Sequence, residues 1–247
     1  MRKIEEKEEI EINFWKDSAR ENPTVFTLEN LFNKMGEAPV FYNKVKRYHR
    51  YFDKASSMLE LGAGQGWASC IIKSLYPGAT LHTSDISPYA IESIKYWEDI
   101  FKVKVDNTFA CRSYEIPLPD ASVDLVFCFA AAHHFVKHRS SLKEINRVLR
   151  PGGVCLYLYE PTCKKYIYKQ AHSRVNKKRP EVPEDVLIQQ KIMELAAEQN
   201  LACELNFDPS LENRGAIETI YYFALSKASI LREMLPCTAD IIFTKKG

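Results

Sequence analysis

Residues 58–67, MLELGAGQGW, decide how this sequence folds and what it binds. Apolar residues lead into glycines at 62, 64 and 66, and the apolar stretch WASCIIKSLY follows, so the pattern predicts a strand, a glycine turn and a helix. Glycines in such a turn permit positive φ angles and a close approach of the backbone to a ligand. In open parallel sheets this turn lies at the carboxyl ends of the strands, where ligands bind. We therefore expect a ligand site at this turn.

The spacing of the glycines indicates which ligand the turn holds. A dinucleotide site has the pattern G-x-G-x-x-G, whereas this sequence has G-x-G-x-G, with Trp67 where the last glycine of a dinucleotide site falls. Glu60 precedes the turn directly, and its carboxylate would repel a pyrophosphate. A carboxylate there suits a ligand that has an ammonium group and no phosphate. S-adenosylmethionine meets both conditions and also carries a cationic sulfonium.

A second acidic residue, Asp85, ends the next predicted strand in LHTSDIS. An acid at that position accepts hydrogen bonds from both ribose hydroxyls of a bound nucleoside. Asp85 therefore indicates an adenosine ligand, although by itself it fits a dinucleotide as well as S-adenosylmethionine.

From residue 56 onward, short apolar runs alternate with amphipathic stretches such as SPYAIESIKYWEDIF and SSLKEINRVLR. Alternating strands and helices predict a largely parallel sheet that is covered on both faces. We expect an α/β fold with a doubly wound, mostly parallel sheet of seven strands. The predicted strands are residues 57–60, 80–85, 107–110, 123–129, 154–159, 201–207 and 239–243.

The parts before and after this alternation are predicted to be mainly helical. With 247 residues, 46% of them hydrophobic, the chain suits one compact domain with a full core. We expect residues 1–52 to form an N-terminal helical cap and residues 56–160 to form the cofactor-binding core. Residues 161–247 are expected to supply a helical lid and the last part of the sheet.

Four segments together resemble a known family. LELGAGQGWAS, SDIS, IPLPDASVDLVFCFAAAHHF and LKEINRVLRPGG are similar, in order and spacing, to the class I S-adenosylmethionine-dependent methyltransferases, and in particular to the type 11 group. The RVLRPGG and LPDASVDLV segments are specific in combination. The resemblance covers about residues 56–160 and implies a Rossmann-like methyltransferase fold with S-adenosylmethionine as cofactor.

The resemblance also implies roles for individual residues. Asp85 matches the ribose acid, and Ile86 matches the apolar residue against adenine. Phe129, at the end of the fourth strand, matches a position whose backbone lies beside the methionine part of the cofactor. The loop that holds that methionine part corresponds to Glu60, Gly62, Ala63, Gly64 and Gly66.

The sequence departs from the family pattern after the third strand. The family usually has an acidic residue near the adenine amino group, whereas this chain has ACRSYEIP with Arg112 at that place. The contact with adenine is then expected from the backbone of Arg112 and Ser113, or from Glu115.

Two adjacent histidines, His133 and His134, follow the fourth strand on the ligand edge. Methyl transfer from a sulfonium needs alignment above all. A general base helps where the acceptor is a hydroxyl or an acidic carbon, and it contributes about 10² to 10⁴ in rate. His134 and His133 are the catalytic candidates. The alternative is that they pack or form hydrogen bonds near the cofactor without moving a proton.

Composition restricts the partners. The net charge of +2 and the absence of an Asn/Asp-Pro-Pro-aromatic motif argue against DNA methylation, and no apolar run is long enough to span a membrane. The charged N-terminus is unlike a signal peptide, so we expect a cytoplasmic protein. The seven cysteines are scattered without a C-x-x-C pair, so neither a disulfide framework nor a metal site is expected.

The leading hypothesis is a methyltransferase that acts on a small-molecule acceptor. Lysines, arginines and tyrosines in residues 164–179 make an anionic acceptor conceivable and leave an RNA methyltransferase as the alternative, although no appended RNA-binding module is found. A non-catalytic cofactor-binding protein and a nicotinamide-dependent dehydrogenase are further alternatives. Trp67 and Glu60 argue against the dehydrogenase.

Overall fold

The computed structural model describes residues 4–17, 27–178, 182, 184–212 and 214–246. In this part of the chain a single sheet forms the centre of the molecule, with the strand order β3-β2-β1-β4-β5-β8-β7 and with β6 paired to β5. The strands are β1 (Ser57–Leu61), β2 (Thr80–Asp85), β3 (Asn107–Ala110), β4 (Val123–Phe129), β5 (Leu149–Cys163), β6 (Leu187–Ile188), β7 (Leu201–Phe207) and β8 (Cys237–Lys245).

The sheet is mostly parallel, which confirms the predicted α/β fold. Strands β1 to β5 pair in parallel, and β8 runs antiparallel to both β5 and β7. The predicted number of seven strands is wrong by one, because the two-residue β6 is too short to carry an alternating pattern. Strand β5 is also longer than its predicted residues 154–159, since β4, β6 and β8 supply partners along almost its whole length.

Helices cover the sheet and precede it. Thr27 caps the second helix, because the Asn30 N–H donates to its side-chain oxygen at 3.2 Å. None of the described helices combines the length and the apolar composition that crossing a bilayer requires. The helices are α1 (Ile4–Asp17), α2 (Leu28–Arg47), α3 (His49–Phe52), α4 (Trp67–Leu75), α5 (Pro88–Ile91), α6 (Ile94–Phe101), α7 (His138–Val148), α8 (Tyr168–Lys178), α9 (Gln189–Glu198), α10 (Ala216–Lys227) and α11 (Ser229–Met234).

Two apolar clusters hold the layers together. Side chains of α2, α3, α4 and α6 pack on one face of the sheet, around Phe41 and Phe127. Side chains of α7 and α9 pack on the other face, around Tyr157 and Phe243. Burial of both sheet faces is what the near-continuous apolar runs of the strands indicate.

A bulge near the end of β5 changes which face its side chains occupy. Leu156 and Leu158 lie in the apolar cluster that includes α2, on one face of the sheet. Tyr157 lies in the cluster that includes α7, on the other face, as strand alternation requires. Tyr159, with a φ of 60°, then packs on the α2 face as well, and the register against β8 shifts between Tyr157 and Glu160. The bulge therefore turns Glu160 toward the α7 face and the loop that follows β4.

Candidate active site

Glu60 lies buried at the carboxyl end of β1, beneath the glycine turn. The Ser69 hydroxyl donates to its carboxylate, and Ser69 also lies 2.6 Å from the Thr83 hydroxyl. Burial raises the pKa of the Glu60 carboxyl from 4.5 to about 8, despite the lowering effect of the Ser69 hydrogen bond. A cationic group beside Glu60 would stabilise the ionised carboxylate and lower this pKa.

Asp85 links the turn after β1 to the turn after β2. Its two carboxylate oxygens accept hydrogen bonds of 2.8 Å from the N–H groups of Gly64 and Ser87. Burial raises the pKa of the Asp85 carboxyl to about 7, although these N–H groups lower it. Glu60 and Asp85 thus present two buried acids on neighbouring strands, on either side of the glycine turn.

The glycine turn depends on residues without a Cβ. Gly62 and Gly64 have φ angles of 69° and 54°, in the left-handed region that glycine adopts at little cost. A Cβ on Gly62 would lie 2.8 Å from the Ala131 Cβ, and one on Gly64 would lie 2.9 Å from the Trp15 ring. The turn is therefore packed directly against the loop after β4 on one side and against α1 on the other.

One face of α1 covers the carboxyl edge of the sheet. Glu8 accepts hydrogen bonds from Tyr114, after β3, and Trp15 lies over Gly64, after β1. The Ser87 hydroxyl, after β2, donates to the Ile12 carbonyl at 3.3 Å. These α1 residues are spaced by three or four positions, so a single helical stripe contacts several loops of the edge.

The structure separates the residues that the sequence associates with adenine. Ile86 is half-buried next to Asp85. The Arg112 guanidinium donates to Glu8 at 3.0 Å, and the Ser113 hydroxyl lies 2.7 Å from the Ser141 hydroxyl on α7. Both side chains therefore have partners within the protein. Glu115 is exposed and lies 3.4 Å from Arg112.

Phe129 lies at the end of β4, where its strand meets the glycine turn. Its ring stacks on Tyr159, with centroids 5.6 Å apart, and meets Phe41 and Trp67 edge to face. The side chain is thus part of the apolar core, and the backbone of the following Ala130 turns into the left-handed region.

His133 is held in place by a buried carboxylate that the sequence analysis did not single out. Its Nδ1 lies 2.8 Å from Oε2 of Glu160, which is fully buried and also accepts the N–H groups of Ala131, Ala132 and His133. Because a carboxylate only accepts, Nδ1 carries the hydrogen and, in the neutral ring, Nε2 carries the lone pair. Burial lowers the pKa of His133, but the Glu160 carboxylate outweighs this effect and raises it above the usual value.

His134 has a different environment. Its Nδ1 is buried without a hydrogen bond and lies 3.4 Å from a carboxylate oxygen of Glu11 on α1. Burial lowers the pKa of His134, and the Glu11 carboxylate offsets this only in part. The two imidazole rings are adjacent, with centroids 4.2 Å apart, and the carboxylate of Glu184 lies close to both.

The basic segment forms the three-residue turn Lys165–Ile167 and helix α8 after β5. Its lysines at 165, 169 and 177 are exposed, and Arg174 lies 3.7 Å from Glu218 on α10. Arg179, at the end of the predicted basic segment, lies outside the described residues.

Comparisons with known proteins agree with the resemblance seen in the sequence. Residues 59–157 match a family model described as a methyltransferase domain. A malonyl-[acyl-carrier protein] O-methyltransferase from Hahella chejuensis is 34% identical over 42% of this chain and 37% of its own length. A sterol 24-C-methyltransferase from Pneumocystis carinii is 27% identical over 43% of this chain and 28% of its own. The similarity thus spans only about a third of the length of these relatives.

Solved structures share the fold over a longer range. The crystal structure of geranyl diphosphate C-methyltransferase from Streptomyces coelicolor, in complex with Mg²⁺, geranyl diphosphate and S-adenosyl-L-homocysteine, aligns with 98% of this chain and 98% of its own. The TM-score is 0.70 at 11% identity, so this likeness concerns the fold. The matched methyltransferase domain over residues 59–157 and the shared fold both agree with the resemblance to class I methyltransferases.

Proposed function

We propose that this chain, which matches a methyltransferase domain over residues 59–157, is a class I S-adenosylmethionine-dependent methyltransferase that transfers a methyl group to a small-molecule acceptor. One observation supports this function above the others. Two buried acids, Glu60 and Asp85, flank a glycine turn at the carboxyl edge of a parallel sheet. Such a turn suits a nucleoside that carries an ammonium group and no phosphate.

The residues around the turn fit S-adenosylmethionine. Glu60 would bind its ammonium group, and the backbone of the glycine turn would follow its methionine part. Asp85 would accept the ribose hydroxyls, as this position does in other nucleoside-binding sheets. Ile86 would pack on adenine, with the backbone of Arg112 and Ser113 at its polar edge. The bound cofactor supplies an activated methyl group on a sulfonium.

The paired histidines are the candidates on the acceptor side. Their loop packs against the glycine turn through Ala131, whose Cβ leaves no room for a side chain at Gly62. Of the two rings, His133 is the better oriented, because Glu160 fixes its tautomer and leaves the Nε2 lone pair available. The main task of the remaining residues is to align the acceptor and to exclude water, which supplies several kcal/mol.

The acceptor belongs to the proposal only at the level of its class. Similar proteins are named for acceptors as different as malonyl-[acyl-carrier protein], a sterol and geranyl diphosphate. The exposed basic side chains of α8 favour an anionic acceptor, and they are also the basis of the alternative proposal, RNA. A cytoplasmic location remains a prediction from the sequence.

Thermal unfolding with different ligands tests the proposal. A ligand present at 100 times its dissociation constant stabilises a protein by about 2.7 kcal/mol, which corresponds to a shift of about 5 to 10 °C for a chain of this size. We expect this shift with S-adenosylmethionine and S-adenosylhomocysteine and none with NAD. A shift with NAD alone, or with none of the three, would overturn the proposal.

A screen with radiolabelled methyl donor then separates the acceptor classes. The panel contains hydroxylated and carboxylated small molecules, anionic and neutral, with an RNA preparation as a parallel arm. We expect label in a small molecule. Label in RNA alone, with a steep dependence of binding on salt, would instead establish the alternative.

A further inference from the structure

Three potential metal ligands come together beside the glycine turn. One ligand atom from each of His133, His134 and Glu184 lies within 4.8 Å of the other two. His133 is buried, and His134 and Glu184 are half-buried. The histidines come from the loop after β4, and Glu184 comes from the segment before β6, so the cluster is formed only by the folded chain.

His133 is arranged as metal-binding histidines usually are. Metal-binding imidazoles commonly donate their other N–H to a carboxylate, which fixes the tautomer and directs the lone pair at the ion. His133 has this arrangement, with Nδ1 at 2.8 Å from the fully buried Glu160. His134 adds a buried ring nitrogen that has no hydrogen bond.

The acidic member is anchored by its backbone. Both polar groups of the Asn176 side chain, on α8, bond to the main chain of Glu184: Oδ1 accepts its N–H at 3.2 Å, and Nδ2 donates to its carbonyl at 2.7 Å. This double contact holds the residue next to the histidine loop, so its approach to the rings is a feature of the packing between α8 and the segment before β6.

We propose that His133, His134 and Glu184 bind a divalent transition-metal ion of the zinc type. Two imidazoles and one carboxylate are a donor set suited to Zn²⁺, Co²⁺ or Ni²⁺ rather than to Mg²⁺, which prefers oxygen ligands. Ligand atoms at 2.0–2.1 Å from a tetrahedral ion lie about 3.4 Å apart. The three ligand atoms therefore need to approach one another by at most about 1.5 Å to bind such an ion.

Three protein ligands leave at least one position for a further ligand. At this place an acceptor oxygen is the natural occupant, and the ion would orient it and lower its pKa. This use of the ion rests on the proposed function, but the binding of the ion does not. Metal binding is measured without S-adenosylmethionine or an acceptor, so a failure of this inference and a failure of the proposed function can be told apart.

The experiment uses the untagged full chain, freed of metal by chelation and then titrated with Co²⁺ alone. Co²⁺ bound by nitrogen and oxygen ligands is followed by its visible absorption, and its displacement by Zn²⁺ gives the affinity of the natural candidate. We expect one equivalent to bind, with displacement by Zn²⁺ and not by Mg²⁺.

Variants locate the site. His134→Ala and Glu184→Gln are expected to weaken Co²⁺ binding at least tenfold, while the matched surface variants His49→Ala and Glu194→Gln bind as the wild type does. Thermal unfolding in chelator shows whether each variant is folded, and Glu184→Gln keeps the size of the side chain. Failure to bind one equivalent of Co²⁺, or unchanged binding by both site variants, would overturn the proposal.

Discussion

The two halves of the carboxyl edge differ in how their functional groups come together. The glycine half is encoded locally: its acids and glycines all lie within residues 60–85, on two adjacent strands. The histidine half, which contains His133 and His134 in the loop after β4, depends on contacts between distant parts of the chain. Glu160 of β5 holds this loop, and the Glu184 carboxylate lies close to both histidine rings. Loss of an acid in the glycine half should therefore disturb only the adjacent turns, whereas loss of Glu160 in the histidine half should loosen contacts between distant parts of the chain.

The largest effect is expected from Glu160→Ala. The carboxylate is fully buried and accepts three backbone N–H groups in addition to the His133 ring, so its loss leaves buried donors without a partner. Breaking a buried charged pair of this kind costs about 3 to 5 kcal/mol. We expect the free energy of unfolding, measured in urea, to fall by that amount.

Two controls sharpen this result. Glu160→Gln keeps an acceptor oxygen at the same place and should lose less stability than Glu160→Ala. Glu194→Ala, on the exposed side of α9, should be within about 0.5 kcal/mol of the wild type. If Glu160→Ala were as stable as the wild type, the loop that carries His133 and His134 would not depend on its contact with β5. The proposed difference between the glycine half and the histidine half would then be wrong.

The next effect concerns turnover. His134→Ala is expected to slow methyl transfer about 100-fold, because the variant loses a group on the acceptor side that either moves a proton or holds the ion that orients the acceptor; a positioned proton-transfer group contributes at least about 10² in rate. The affinity for S-adenosylhomocysteine, measured by calorimetry, should stay within about twofold of the wild-type value, because the cofactor groups lie in the other half. An unchanged rate would leave His134 with a packing role.

In the glycine half, Asp85→Ala is expected to weaken S-adenosylhomocysteine binding at least tenfold. Its free energy of unfolding should fall by about 1 to 3 kcal/mol, because the buried N–H groups of Gly64 and Ser87 lose their acceptor, although the removal of a buried carboxyl offsets part of this loss. The exposed Asp99→Ala serves as the matched control and should change neither quantity. Unchanged affinity of Asp85→Ala would remove the ribose assignment.

The same contrast explains how much was predictable from the sequence. The strand–turn–helix unit, the parallel sheet and the two acids follow from periodicity, glycine spacing and position at strand ends, all of which are local. Glu160 was missed because simple alternation along β5 places it on the α2 face. The bulge at Tyr159, where the structure departs from that alternation, depends on pairing with β8, whose sequence lies far along the chain.

Other parts of the site were missed for a similar reason. The helical cap was predicted, but a periodic pattern does not say which loops a helix will cover, so the contacts of Glu8 and Trp15 with the carboxyl edge were not anticipated. The cysteine pattern gave no reason to expect a metal site. Glu184 is distant from the histidines in sequence, and a lone glutamate carries no motif that marks it as their neighbour.

The last effect is a pH dependence that belongs to the glycine half. Burial raises the pKa of Glu60 to about 8 and that of Asp85 to about 7, so both carboxyls hold protons near pH 6 before the cofactor binds. A cationic ammonium favours the ionised carboxylate and must release the Glu60 proton. Affinity for S-adenosylhomocysteine should therefore rise with pH, by about 25-fold from pH 6 to about 7.5 through Glu60 alone, below the range where the ligand's own amine loses its proton.

Two comparisons test whether Glu60 causes this dependence of affinity on pH. Glu60→Gln cannot ionise, so its affinity should change much less over the same range. 5′-Methylthioadenosine has no ammonium group, so only Asp85 should act on its affinity and its slope should be smaller than that of S-adenosylhomocysteine. If the affinities of the two ligands for the wild type changed equally with pH, Glu60 would not contact the ammonium group. The role of Glu60 would then be structural.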